Sequence, residues 1–246
     1  MSHVNEFSIE KIKERISSLE IPEIHDPRFR ESAVLIPILQ STDSMGQSKL
    51  SFVLTVRAKK LKKHSVEISI PFGKIEKNET PVQSALRETK EEIGVGSELI
   101  QILGKFEPVI TMTGFIINPI VGLLGTDTFK INPDEVQKIL IVPFDFFLNT
   151  KSLKENPYYV GDSYLPFLSF DYKEFEIVEG IEKSSQFTIW GATAHMIARF
   201  FHLIFNISLY SNQYHRPNHD EMLKLFDKFS DKLERKVKTE ITNDRE

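Results

Sequence analysis

The segment PFGKIEKNETPVQSALRETKEEIGV, Pro71 to Val95, constrains the fold more than any other stretch of the 246-residue chain. Thr80-Pro81-Val82-Gln83 is a capping-box pattern, with Thr as N-cap, Pro at the first helical position and Gln three residues after the cap. Gly94 supplies the stop. Between them Val82, Ala85, Leu86, Thr89 and Ile93 recur at helical intervals and mark a buried face. At about 100° per residue, Glu88, Glu91 and Glu92 fall within an arc of roughly 100° beside that face. Like charges at such spacing weaken a helix by roughly 0.2–0.5 kcal/mol per pair. A solvated acidic face is one reading of the run. The other is a cation site, since hard carboxylate oxygens suit Mg²⁺ or Mn²⁺ and the ion relieves their repulsion.

The flanking sequence supplies sheet and further helix. SAVLIPIL and LSFVLTVRA are apolar and β-branched and are separated by the turn-rich STDSMGQSK, so both are expected to be strands. VEISIPFG alternates like a short strand entering a turn. LIQILGKFEPVIT and FIINPIVGLLG are expected as two more strands, and EVQKILIVPFDFFL as strand, turn and short helix. Ile9, Ile12, Ile16 and Leu19 predict a helix over 8–20, and TIWGATAHMIARFFHLIFN a strongly apolar helix over 188–206. Residues 150–188 give no regular pattern beyond a possible strand at FLSFDY. Met222, Phe226, Phe229, Leu233 and Val237 form a last helical stripe, able to pack back on the domain or against a second copy. Strands interspersed with helices, with few strict βαβ units, predict a mixed α/β domain of the α+β type.

Composition excludes some chemistries. Forty per cent hydrophobic and 27% charged residues suffice for a core, and a net charge of −4 offers no general field for nucleic acid. With no cysteine there is no disulfide, thiolate zinc site or cysteine nucleophile. The opening MSHVNEFSIEKIKERISSLE lacks the apolar core of a signal peptide and carries the acids that transit sequences avoid. No run approaches the roughly 18 apolar residues of a membrane span, and the final NDRE is not a peroxisomal tripeptide. The expectation is an intracellular protein without membrane or nucleic-acid partners, cytoplasmic or in another soluble compartment.

The spacing G-x5-E-x7-R-E-U-x-E-E-x-G-U, with U an apolar residue, is that of the Nudix box, and the chain resembles it at Gly73, Glu79, Arg87, Glu88, Glu91, Glu92, Gly94 and Val95. One departure is Thr89, where an aliphatic residue is usual. The resemblance implies a Nudix fold, a loop-helix-loop on a mixed sheet sandwiched between helices, here with a C-terminal helical extension. It implies Glu88 and Glu92 as ligands of Mg²⁺ or Mn²⁺. Glu91 would be a further ligand or the catalytic group that orients the attacking water, and the Gly73 carbonyl could complete the shell. Arg87 and Glu79 would pair and brace the loop at the foundation of the catalytic site, with Gly94 closing the motif.

From about residue 30 to 205 the chain also resembles the coenzyme A diphosphatase subgroup, through SAVLIPIL, LTVRAKKLKKH, GKFEPVITMTGFIINPIVGLL, PDEVQKILIVP and TIWGATAHMI. The subgroup's upstream signature is matched by Leu54, Thr55, Arg57 and Ala58, with Lys62 where a second arginine is expected. Its glycine falls on Val66, its phenylalanine on Ile70 and the first of its paired glycines on Phe72. The likeness implies cleavage of a small CoA-like diphosphate substrate, with Arg57 and Lys62 gripping its phosphates. The same basic run is otherwise a solvated loop. Glu135 is the candidate acid from outside the box, with a catalytic or second-metal role; the alternative is an exposed turn residue. Trp190 and His195 are expected to pack rather than bind. The implied organisation is a helical lead over 1–29, the Nudix domain over 30–205 and the extension over 206–246, with a homodimer as the alternative to a monomer. Two alternatives accompany it: a diphosphatase for another nucleoside diphosphate derivative or oxidised nucleotide, and a Nudix-fold module that binds without catalysis.

Overall fold

Strand β1 (Arg30–Thr42) sets the architecture. In the computed structural model, which describes residues 7–59, 67–149, 151–160, 163–178, 181–210 and 215–230, β1 is buried without a break from Ser32 to Leu39. Its side chains alternate between two cores: Val34, Ile36 and Ile38 enter one, Ala33, Leu35 and Leu39 the other. A strand apolar on both faces belongs at the centre of a sheet covered on both sides. That is where it lies, in an eight-stranded mixed sheet.

β1 pairs antiparallel with β2 (Ser48–Arg57) along its second half and with β4 (Phe72–Lys74) along its first. On its other edge it runs parallel to β7 (Phe115–Leu124), in register from Arg30–Phe115 to Leu39–Leu124. β3 (Ile68–Ser69) and β8 (Val136–Pro143) pair with β2, while β5 (Ile100–Lys105) and β6 (Val109–Ile110) pair with β7. The run LIQILGKFEPVIT is thus two strands, not one. Phe106 turns into the core at 2% exposure, and Pro108 has no N–H to continue a ladder.

Helix α2 (Pro81–Ile93) covers one face of the sheet, with Ala85 and Ile93 against Ala33, Leu35 and Val53. The other face carries α1 (Ile9–Ser17), the short α3 (Phe144–Phe147) and α4 (Gly191–Phe205). Ile9, Ile12 and Ile16 of α1 belong to this larger core. Its centre is aromatic. Phe52 lies 4.4 Å from Phe144 and 5.3 Å from Phe200, and Phe144 lies 5.4 Å from Phe201. The last two contacts are edge-on, the arrangement ring quadrupoles favour.

Residues 150–188 are not irregular. β9 (Leu153–Val160), β10 (Ser163–Val178) and β11 (Ile181–Trp190) form a separate antiparallel sheet of three strands. Among the residues whose burial is described, Leu165, Leu168, Phe170 and Ile189 are its buried apolar side chains, and α4 packs against that inner face. The remainder is held mainly by strand pairing, which leaves little hydrophobic periodicity in the sequence. β11 also takes residues 188–190 from the expected helix; Trp190 is extended, at φ −147 and ψ 179.

Residues 219–230 are helical. Phe226 from this stretch stacks on Phe29 at 4.3 Å and joins Met222 and Leu223 over Ile110 and Ile116. The described part of the terminal stripe therefore packs back on the sheet; Leu233 and Val237 lie outside the described residues. Among the described residues no helix is long and apolar enough to cross a membrane.

Candidate metal and diphosphate site

Local chemistry fixes α2 at both ends. Thr80 Oγ1 accepts from Gln83 N–H at 3.3 Å, and the Gln83 side chain accepts from Thr80 N–H at 2.8 Å. Gly94 closes the helix at φ +74, and a Cβ there would stand 2.6 Å from the Lys130 carbonyl oxygen. A side chain would thus meet both a strained backbone and a blocked space. Thr89 is fully buried, and its hydroxyl donates to the Ala85 carbonyl at 2.7 Å. That bond within the helix lets a threonine occupy an aliphatic position.

Arg87 organises the acids. Its Nε and Nη2 donate to the two oxygens of Glu79, at 2.8 and 3.0 Å. Nη2 also reaches the Lys74 carbonyl at 3.1 Å, tying α2 to β4. Nη1 donates to Glu88 Oε1 at 2.6 Å and Glu91 Oε2 at 3.3 Å. The guanidinium holds the Glu79 carboxyl down to about 2. Arg87→Ala is expected to destabilise the protein by about 2 kcal/mol in denaturant melts, because the partly buried Glu88 loses its cation and Glu79 loses both guanidinium donors, keeping the Glu76 N–H. Lysine, lacking the planar fork, should recover less than half of the loss.

Glu88 lies directly over Gly73: a Cβ on that glycine would stand 1.8 Å from Glu88 Oε1. Its carboxyl is raised by burial, against the opposing pull of Arg87. Glu92 goes deeper, at 1% exposure. Its Oε1 accepts from Phe72 N–H at 3.3 Å, while Oε2 is buried with no hydrogen-bond partner among the described residues. Loss of water pushes this carboxyl up to about 8, against the Phe72 N–H and the charge of Arg57. An anionic oxygen buried without a donor is costly unless a cation meets it. Glu91 is half exposed, at 52%.

The sequence picks out Glu88, Glu91 and Glu92 as one ligand set. Among the described residues, however, no three acidic or histidine side chains stand together closely enough to enclose an ion. The physical reason is Arg87, which draws Glu88 and Glu91 to itself. The orphaned Glu92 Oε2, the space kept at Gly73 and the hard oxygen donors all fit Mg²⁺ or Mn²⁺.

Glu135 comes from the turn before β8. Asn132 Nδ2 donates to its Oε1 at 3.1 Å, and the Asn132 N–H donates to the Glu92 carbonyl at 2.9 Å. Its charge opposes ionisation of both Glu88 and Glu92. Arg57 ends β2 with its guanidinium over the Phe72 ring, 5.1 Å from the centroid. Lys62 and Val66 lie outside the described residues, and Ile70 is a core residue at 2% exposure. Trp190 packs on Phe167 at 5.6 Å, and His195 shares a 3.2 Å hydrogen bond with the Tyr210 hydroxyl. Sequence reasoning missed Asn132 and the double contact of Phe72. The Asn-Pro-Asp turn was a signal for the first; for the second there was none, since it depends on three separate segments meeting.

Comparison with known proteins bears on the family. The family model described as NUDIX domain matches residues 29–156. Nudix hydrolase 22, chloroplastic, of Arabidopsis thaliana is 32% identical over 179 residues, 70% of this chain and 55% of that protein. An uncharacterized Nudix hydrolase, NudL, of Pectobacterium atrosepticum is 34% identical over 118 residues, 47% of this chain and 58% of that one. Nudix hydrolase 3 of Caenorhabditis elegans is 31% identical over 202 residues, covering 79% and 78% of the two chains. This chain thus spans little more than half the length of the first two relatives. With the capped acidic helix, the Arg87–Glu79 brace and the matched domain in agreement, the chain belongs to the NUDIX family, and its mixed sheet between helices is the Nudix fold.

Proposed function

We propose that this chain is a Mg²⁺- or Mn²⁺-dependent hydrolase of diphosphate linkages, and that its substrate is CoA or a CoA derivative. The products would be 3′,5′-ADP and 4′-phosphopantetheine, acylated when the substrate is an acyl-CoA. The observation that carries the metal half is Glu92, a carboxyl group buried at 1% exposure with one oxygen lacking any donor among the described residues. Glu88 and Glu92 would hold the ion, Glu88 over the bare backbone of Gly73. The ion, when bound, neutralises the diphosphate and lowers the pKa of water. Glu91, half exposed, or Glu135, held by Asn132, would take the water proton. Arg87 sets the Glu88 position, and Arg57 and Lys62 supply positive charge for the phosphates.

The CoA half rests on the sequence resemblance across residues 30–205. A second reading, another nucleoside diphosphate derivative or oxidised nucleotide, is favoured by one observation. Phe72 puts a ring under Arg57 where the CoA diphosphatase subgroup has a glycine. A panel of CoA, acyl-CoAs, nucleotide sugars, dinucleoside polyphosphates and oxidised nucleotides, with products identified by mass, separates the two. We expect CoA species to be cleaved at least tenfold faster than the rest. Turnover of nucleotides alone would leave the second reading, and no metal-dependent turnover at all would leave a binding module.

A further inference from the structure

Two buried atoms of residues that both contact Phe72 lack hydrogen-bond partners among the described residues, and they are opposite in kind. Glu92 Oε2 is an acceptor; Arg57 Nε is a donor. Buried polar groups without partners are rare, and each calls for an explanation. Both residues contact Phe72, Glu92 at its N–H and Arg57 over its ring. A cation satisfies the acceptor, and an anionic oxygen satisfies the donor. A diphosphate carrying its divalent ion presents both together.

Phe72 joins the two. Its N–H donates to Glu92 Oε1 at 3.3 Å, while its ring lies under the Arg57 guanidinium, 5.1 Å away. A guanidinium held over an aromatic face by cation–π attraction is restrained in position, which limits where its N–H groups can point. The ring is itself held, being partly buried against the larger core. One residue thus locates both the carboxylate that would meet the metal and the cation that would meet a phosphate oxygen.

We infer that Phe72 is a positioning residue for substrate: its ring holds Arg57 so that Nε donates to an oxygen of the substrate diphosphate. This rests on the diphosphatase reading above and adds to it a determinant of affinity. The two roles of Phe72 are separable, because side-chain substitution removes the ring and leaves the N–H in place. Phe72→Leu keeps bulk without a ring, and Phe72→Tyr keeps the ring.

The test is the Arg57 Nε–H cross-peak in proton–nitrogen NMR, assigned by its loss in Arg57→Lys, with inorganic pyrophosphate and Mg²⁺ as the probe. In wild type the peak is expected to move on titration. Phe72→Leu should weaken pyrophosphate binding about tenfold and raise KM by a similar factor, and Phe72→Tyr should stay within threefold of wild type. Mn²⁺ affinity should stay within twofold in both variants, since the Phe72 N–H still meets Glu92. A ring that merely packs would lower the active fraction without moving KM. A wild-type peak unmoved by pyrophosphate, or wild-type pyrophosphate affinity in a folded Phe72→Leu protein, would overturn the inference. Failure of the diphosphatase reading appears differently: the peak moves with pyrophosphate, yet no member of the substrate panel is cleaved.

Discussion

Glu92→Gln is expected to lower Mg²⁺- or Mn²⁺-dependent turnover by about 10³-fold while the protein remains folded. A metal that polarises phosphate and activates water supplies several kcal/mol to the transition state, and each 1.4 kcal/mol or so is tenfold in rate. Glutamine keeps the shape of Glu92 and can still accept the Phe72 N–H, so the last turn of α2 stays packed. What it removes is the buried carboxyl oxygen, without a donor among the described residues, that can ionise against a cation. Turnover within tenfold of wild type, at saturating metal, would mean that the ion is held elsewhere.

The same side chain should make the metal-free protein sensitive to alkali. Glu92 has its folded-state pKa raised from 4.5 to about 8 by burial. The folded state therefore binds this proton more tightly than the unfolded chain does. The associated stability is fully present below about pH 4.5 and is lost as pH rises through about 8. At roughly 1.4 kcal/mol per pH unit of pKa difference, the loss attributable to this group approaches about 5 kcal/mol over the whole range, of which about 3 kcal/mol falls above pH 6. Denaturant melts of metal-free protein from pH 6 to 9 should show the decline, and Glu92→Gln should flatten it. Mn²⁺ at 100 times its Kd should restore about 2.7 kcal/mol at the alkaline end, because it binds only the folded, ionised form. A flat wild-type profile without metal would show that water reaches Glu92.

The parts of this site that were legible in the sequence are those whose causes are local. The helix predicted between Thr80 and Gly94 spans Pro81–Ile93, because its cap, first-turn proline and terminal glycine act on their immediate neighbours. The Arg87–Glu79 brace, implied by the Nudix-box likeness, forms through a helix and the loop just ahead of it. The three-stranded sheet over 153–190 was not legible. Strands such as IEKSSQFTIW bury few side chains, so their pairing leaves no clear alternation. Nor was the state of the acids. Spacing put Glu88, Glu91 and Glu92 on one arc, but it could not show that Arg87 holds two of them and leaves the third alone in the core.

The parallel pairing of β1 with β7 bears on when the site comes into being. Strand β4, which carries Gly73, and helix α2 both lie in the chain between those two strands. The β1–β2 hairpin can zip from its tight turn, whereas Arg30 and Phe115 meet only after a long loop closes. Loop-closure entropy makes such distant pairings slow and dependent on the rest of the fold. Cation affinity should therefore emerge late during refolding, together with global protection of the amides, making ion uptake a reporter of the finished topology.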